Sequence, residues 1–266
     1  MEIVYYLLYA AAGAAAGILA GLLGVGGGIV IVPILSVLFA WQGIAPEYLM
    51  QMALGTSLAS IMFTSVSSMR AHHAHGAVRW NIVKLITPGI VLGTLAGSKL
   101  AAWLSSGFLK GFFVFFLYYV SLQMFLNFKP KPSREIPGIG PMTGVGGFIG
   151  VISALVGIGG GTLTVPFMTF CNVPMHQAVG TGAAIGFPIA VAGAVGYIFG
   201  GMGKVGLPEA SLGFVYLPAM IGLVVCSMLT APTGARIAHK LPVAMLKKVF
   251  AGFLVIMATR MLFQIL

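Results

Sequence analysis

The chain has 266 residues, of which 59% are hydrophobic and only 7% charged, with a mean hydropathy of +1.06. A soluble domain carries about 25% charged residues, so a soluble fold is excluded and the charge-poor stretches face lipid. The net charge of +10 comes from 14 Lys and Arg against four Glu, and the basic residues fall in short connections between apolar runs, which is a positive-inside pattern rather than a nucleic-acid footprint.

In chain order, apolar runs predict helical segments at about 3–23, 29–41, 48–69, 81–104 and 108–128. A polar linker over 129–138 follows, and then a second set at about 139–157, 161–172, 175–199, 208–235 and 243–265. Most of these runs approach the roughly 20 residues that a helix needs to cross a hydrocarbon core. They are too long and too uniformly apolar for the alternating strands of an outer-membrane barrel. The expected organisation is a first transmembrane repeat over 1–128, a cytoplasmic linker over 129–138 and a second repeat over 139–266. The start, Met1-Glu2-Ile3, has no basic n-region and leads into a segment with a later counterpart, so it reads as part of the folded chain. Cys171 and Cys226 lie far apart in apolar surroundings and imply no disulfide framework.

The two sets match in letters as well as in length. Gly24-Val25-Gly26-Gly27-Gly28-Ile29-Val30-Ile31-Val32-Pro33 aligns with Gly157-Ile158-Gly159-Gly160-Gly161-Thr162-Leu163-Thr164-Val165-Pro166. Gly55-Thr56 recurs as Gly180-Thr181, Pro88 as Pro218, and Leu109-Lys110 as Leu246-Lys247. An internal repeat in a membrane protein points to a transporter.

Charge placement orients the chain. If each half opens with a long and a short segment that together return to their starting face, three full crossings follow. Arg70, Arg79, Lys84, Lys129, Lys131, Arg134, Arg236, Lys240, Lys247 and Lys248 then share one face, against Lys99, Lys110, Lys204 and Arg260. Merging the long and short segments into one crossing divides the cations almost evenly, so the first arrangement satisfies the positive-inside rule better. It makes the halves an inverted repeat with both termini extracytoplasmic. The expected fold is therefore an all-α polytopic membrane protein of about eight helices plus two short half-helices. Each half has a broken or re-entrant first helix, a Gly-rich turn then Pro, and three transmembrane helices.

The chemistry is expected at the breaks. Glycine costs about 1 kcal/mol in a helix relative to Ala, and Pro suits a helix's first turn, so unwound stretches are predicted at about 24–32 and 157–165. Unwound backbone at membrane depth must be buried in protein or line a wet cavity. Its free N–H groups favour an anion, with hydroxyls adding donors that carry no fixed charge. The candidate substrate-binding residues are Gly26, Gly27, Gly28, Thr56, Ser57, Ser60, Gly159, Gly160, Gly161, Thr162, Thr164 and Thr181. The competing reading of the triplets is close helix packing, which is the preferred one for Gly13, Gly17 and Gly21 and for Gly89, Gly93 and Gly97, spaced four apart. Neither triplet fits a P-loop or a dinucleotide fingerprint.

Other candidates are read more plainly. His72, His73 and His75 with Arg70 and Arg79 form a basic cytoplasmic loop, because no carboxylate or Cys stands near to complete a metal site. His176 reads as interfacial, and Lys84 and Arg260 as snorkelling. Glu2, Glu47, Glu135 and Glu209 all fall at segment ends or in the linker, so a midplane carboxylate relay is disfavoured. Coupling by sodium, by a proton carried on the substrate, or none at all stays open, with the last two favoured.

The glycine-rich turns at Gly24 to Pro33 and Gly157 to Pro166, with the Gly55-Thr56-Ser57 and Gly180-Thr181 starts, resemble the sulfite exporter TauE/SafE family of bacterial and archaeal membrane proteins. The likeness runs over nearly the whole chain. It implies a multi-pass plasma (inner) membrane transporter that exports sulfite, sulfoacetate or a related organosulfur anion. It further implies two homologous halves, no enzymatic activity and a requirement for neither cofactor nor metal. The partners expected are a small anionic substrate and the lipid bilayer, with no nucleic acid. A passive anion channel is the alternative. Gly182 stands where the first half has Ser57, and Ile29 and Ile31 where the second has Thr162 and Thr164, so the pocket is expected to be lopsided.

Overall fold

The computed structural model of the chain describes residues 2–23, 27–126, 135–238 and 243–264. The expected turn residues Gly24, Val25 and Gly26, residues 127 and 128, and the linker residues 129–134 lie outside that set. Ten helices form among the described residues: α1 (Glu2–Leu23), α2 (Gly28–Trp41), α3 (Leu49–Ala74), α4 (Trp80–Trp103), α5 (Ser106–Phe125), α6 (Ile139–Val156), α7 (Gly161–Phe170), α8 (Met175–Gly201), α9 (Leu217–Ala238) and α10 (Val243–Phe263). Seven of them, α1, α3, α4, α5, α6, α8 and α9, are long and apolar enough to cross a membrane. This is an all-α polytopic membrane protein. Large apolar side chains face outward as well as inward: Phe115 is 69% exposed and Leu229 73% exposed, while Ser57, Ser60 and Thr164 are wholly buried within an apolar core.

The first short helix, α2, turns back on its long predecessor, α1. The Tyr5 hydroxyl in the first turn of α1 donates to the carbonyl of Trp41 at the end of α2, at 3.2 Å. One turn further along α1, the Tyr9 hydroxyl donates to Gln42 Oε1 at 2.7 Å. The α1–α2 pair therefore ends on the face where it began, as the charge count requires.

Three expectations shift. The helices α2 and α7 begin at Gly28 and Gly161, so Pro33 and Pro166 lie inside them rather than opening them, and the unwound stretches are shorter than the glycine and proline positions imply. Ile29, Val30, Ile31 and Val32 are all buried, and burying an aliphatic side chain is worth about 1.5–3 kcal/mol, more than the sub-kcal differences in helix propensity. Each proline still lacks an N–H, so the carbonyls of Ile29 and Thr162 lose their usual intrahelical donor. The segment expected from 208 instead opens with a small hairpin, β1 (Ser211–Leu212) paired antiparallel with β2 (Val215–Tyr216), turning at Gly213 with φ 56°. The third change is that α3 runs on to Ala74, carrying Arg70, His72 and His73 in its last turns.

Packing joins the halves rather than separating them. Helix α1 packs along α9 and α4 along α6, each pair drawing one helix from each half, while α3 packs on α8 and α5 on α10. Exchanging the halves reproduces the main pairings. The glycine ridges lie at these seams: Gly13 rests on the Leu223 backbone and Gly17 on Ser227, while Gly89, Gly93 and Gly97 rest on Thr143, Gly147 and Val151. The sequence neighbours rise together, so α1 and α9 are parallel, as are α4 and α6. By contrast Gly55 meets Tyr197 while Gly193 meets Leu58, so α3 and α8 are antiparallel. The same holds for α5 and α10, where Tyr118 bonds Thr259 at 2.8 Å and Ser121 donates to the Ala251 carbonyl at 2.9 Å. Pro88 and Pro218 are not equivalent in space, since Pro88 lies well inside α4 and Pro218 is the second residue of α9.

Gly93→Val places a branched side chain against the Gly147 backbone. It should lower the stability of the purified protein in a detergent thermal melt by about 1–3 kcal/mol or more. Gly144→Ala, where an added Cβ meets nothing, should leave the melt unchanged.

Candidate functional site

The second glycine turn is built on the end of α6. Gly157 takes the left-handed conformation (φ 67°, ψ 33°), its N–H bonds the Ala154 carbonyl and that of Ile158 the Ser153 carbonyl, which is a Schellman cap. The cap is held from two sides. Ser57 Oγ of α3 donates to the Gly157 carbonyl at 2.8 Å, and the buried Tyr197 hydroxyl of α8 donates to the Ala154 carbonyl at 2.9 Å. The first turn meets the second directly. Gly28, the first residue of α2, packs against the Gly157 carbonyl and Ile158 Cα. Gly27, left-handed at φ 77°, lies against the Ala16 backbone. Its carbonyl accepts the N–H groups of Val30 and Ile31 at 3.0 and 3.1 Å.

Gly160 and Gly161 fit against α8. A Cβ on Gly160 would stand 2.8 Å from the Gly182 carbonyl oxygen and 2.9 Å from the Gly186 nitrogen. A Cβ on Gly182 would come 3.1 Å from Thr164 Oγ1, which gives a steric reason for glycine where the other half has Ser57. Gly159 is buried in the same turn. Thr164 Oγ1 donates back to the Gly160 carbonyl at 2.6 Å, and Ser60 Oγ to the Thr56 carbonyl at 2.8 Å. Thr162 differs from both. Its residue is only 7% exposed, and its buried hydroxyl has no hydrogen-bond partner.

Thr56 and Thr181 serve a matched pair of clasps. Thr56 Oγ1 accepts the backbone N–H of Tyr216 at 3.0 Å, and Thr181 Oγ1 accepts that of Arg79 at 3.0 Å. The preceding glycines make room: Gly55 lies against the Phe214 carbonyl and Gly180 against the Ala77 carbonyl. Each Gly-Thr pair thus grips, two residues apart, the loop that enters α9 or α4 in the opposite half. The loops correspond by the same chain spacing that relates Leu109 to Leu246.

The family model for the sulfite exporter TauE/SafE matches residues 9–261. The chain belongs to the TauE/SafE family. It is 37% identical to a probable membrane transporter protein of Haemophilus influenzae, over 97% of this chain and 98% of that one. A probable membrane transporter protein of Methanocaldococcus jannaschii is 26% identical, over 96% and 94%. Another from Bacillus subtilis, YdhB, is 26% identical, over 87% and 89%. No solved structure matches. The chain is a multi-pass membrane transporter.

Of the remaining candidates in this TauE/SafE chain, the histidines take local roles. Trp80 Nε1 donates to His73 Nδ1 at 3.3 Å, His75 Nδ1 lies 2.8 Å from the Ala71 carbonyl, and His176 is exposed near the start of α8. Arg260 stacks on Trp41, its Cζ 6.0 Å from the ring centroid. Before α3, the hydrogen bond with Glu47 holds the Tyr48 phenol above its ordinary pKa. Sequence reasoning passed over Thr64, which bonds Ser227 Oγ at 2.8 Å, and Ser68, whose buried hydroxyl has no partner. Their signal was the spacing of four from Thr56 through Ser60, Thr64 and Ser68, one buried stripe along α3.

Thr56→Val and Thr181→Val each remove the oxygen that holds an incoming loop. Each should cost about 1–3 kcal/mol of unfolding stability in chemical denaturation of the detergent-solubilised protein. Thr→Ser at either position should restore most of it.

Proposed function

We propose that this transporter exports a small anion, sulfite or an organosulfonate, across the plasma membrane by alternating access. The observation that carries the reading is Thr162: a buried hydroxyl without a partner, at the start of α7 and in the turn against which Gly28 of α2 abuts. The first-turn N–H groups of a helix have no intrahelical acceptor, and a helix start favours negative charge. Two such starts, α2 and α7, supply backbone donors. Ser57 of α3, bonded to Gly157, and Thr164 of α7, bonded to Gly160, stand beside these starts, and Ser60, Thr56, Thr181 and the glycines of both triplets complete the proposed set of binding residues. Neutral donors suit a site that must also release its cargo. The family's description as sulfite exporters supports sulfite as the parent substrate.

The halves, 1–128 and 139–266, are read as an inverted repeat with extracytoplasmic termini. Support comes from the opposite running of α3 and α8, which occupy matching places in the two halves, and from the excess of basic residues assigned to one face. An inside-negative potential contributes about 2.3 kcal/mol per charge per 100 mV, enough to drive export of an anion without a coupled cation.

Proteoliposomes loaded with labelled sulfite test the transport reading. Thr162→Val should reduce flux at least about tenfold, the loss of one well-placed hydrogen bond to a charged group, with the thermal melt preserved. Undiminished flux refutes the pocket, and an absence of counterflow of labelled sulfite against unlabelled sulfite would make the protein a channel. For topology, single cysteines at Glu135 and Gln264 in a cysteine-free background should label from opposite faces of intact cells. Replacing Glu47 and Glu209 together by Gln should leave the pH dependence of transport unchanged.

A further inference from the structure

Away from the glycine turns, a cavity of about 610 Å³ opens where α1 begins and α2 ends, roofed by the chain that leads into β1 and α9. Its walls include Tyr5, Tyr9, Trp41, Gln42 and Tyr216, and among the described residues no carboxylate lines it. A bare inorganic oxyanion would leave most of that volume to water. Pockets of about 300–1,000 Å³ with aromatic walls and a few polar groups suit organic molecules. The walls are set rigidly: Phe39 meets Tyr9 edge-on at 6.5 Å and Tyr216 edge-on at 5.8 Å. Gln42 spends its oxygen on Tyr9, which leaves its amide N–H groups as donors.

Charges of both signs stand near the cavity: Glu209 follows Pro208 in the chain and Glu47 bonds Tyr48, while two cations are held over ring faces. Arg260 stands over Trp41 and Lys204, close to the lining residue Gly206, stands over Tyr48 at 6.0 Å. A guanidinium held by a ring face keeps its donors for a planar or tetrahedral anion. Tyr216 adds a link inward, because its own N–H bonds Thr56 of α3.

We propose that this cavity is a second binding site, distinct from the glycine turns, for an organic anion with a flat aromatic body. The body stacks among Tyr5, Trp41 and Tyr216, and the anionic head meets Arg260 and the Gln42 amide. A ligand stacked on Tyr216 bears on the clasp that holds α3, so occupancy of the cavity is coupled to the packing around Thr56.

The test uses the full chain in nanodiscs of zwitterionic lipid, with Trp80→Phe and Trp103→Phe leaving Trp41 as the single tryptophan. Benzenesulfonate should change Trp41 fluorescence saturably, and methanesulfonate should do so at least about tenfold more weakly. Arg260→Gln and Gln42→Glu should each weaken benzenesulfonate binding about tenfold or more, the second through like-charge repulsion, whereas Arg260→Lys retains part of it. A linear response, equal responses to the two sulfonates, or unchanged affinity in both weakening variants overturns the site. Loss of the response when anionic lipid is included also overturns it, by assigning the cavity to a lipid headgroup. Because binding is read without transport, this result stands apart from the flux assay of Thr162→Val.

Discussion

No water is available in the hydrocarbon core to satisfy a broken helix, and this fold breaks two. Everything around the centre answers that constraint. At Gly157 the exposed carbonyl is claimed by Ser57 from α3 and the one before the cap by Tyr197 from α8, so donors from the two most central helices complete the end of α6. At Gly27 the carbonyl serves two N–H groups of α2. What remains after this accounting is informative. The hydroxyls of Thr162 at the start of α7, Ser153 near the end of α6 and Thr94 on α4 stay buried without a partner, and the carbonyls four residues before Pro33 and Pro166 lack their intrahelical donor.

The second constraint is that lipid tails are as apolar as the side chains they solvate, so apolar burial alone does not bring helices together. Close backbone contact does. The glycines of α1 and α4 remove every atom that would hold α9 and α6 away, and dispersion accumulates over the seam. Hydroxyl bonds then fix the register, as where Thr230 Oγ1 donates to the Ala14 carbonyl at 3.0 Å. Buried hydroxyls thus sit within an apolar core that includes Phe39, Phe113 and Phe214, while other large apolar side chains such as Phe115 and Leu229 face outward.

Much of this was legible in the letters. Segment lengths, the glycine ridges and the hairpin of long and short helices follow from hydropathy, spacing and charge placement, each of which is a local or additive property. The start of α2 at Gly28 rather than near Pro33 was not legible, because tertiary burial of Ile29 to Val32 outweighs local propensity. The hairpin at 211–216 hid inside an apolar run whose β-branched and aromatic residues suit either state. At the candidate site, the glycine triplets announced where the chain breaks. That Gly55-Thr56 and Gly180-Thr181 hold loops of the opposite half was beyond reach, since a repeated dipeptide does not say what it touches. Matching by letters alone also misplaced Pro88 against Pro218, which three-dimensional equivalence separates.

The clasps bear on how such a molecule can move. Each Gly-Thr grip fastens a long central helix to a loop belonging to the other repeat, and each glycine seam fuses a helix of one repeat to one of the other. The boundary between repeats is therefore crossed by the tightest contacts in the chain and offers no plane of cleavage. The pairs α1 with α9 and α4 with α6 each draw one helix from either half of the chain. Between these pairs stand α3, packed on α9, and α8, packed on α4, so a shift of one pair against the other would be taken up where α3 meets α8, a contact made by Gly55 on Tyr197 and Gly193 on Leu58.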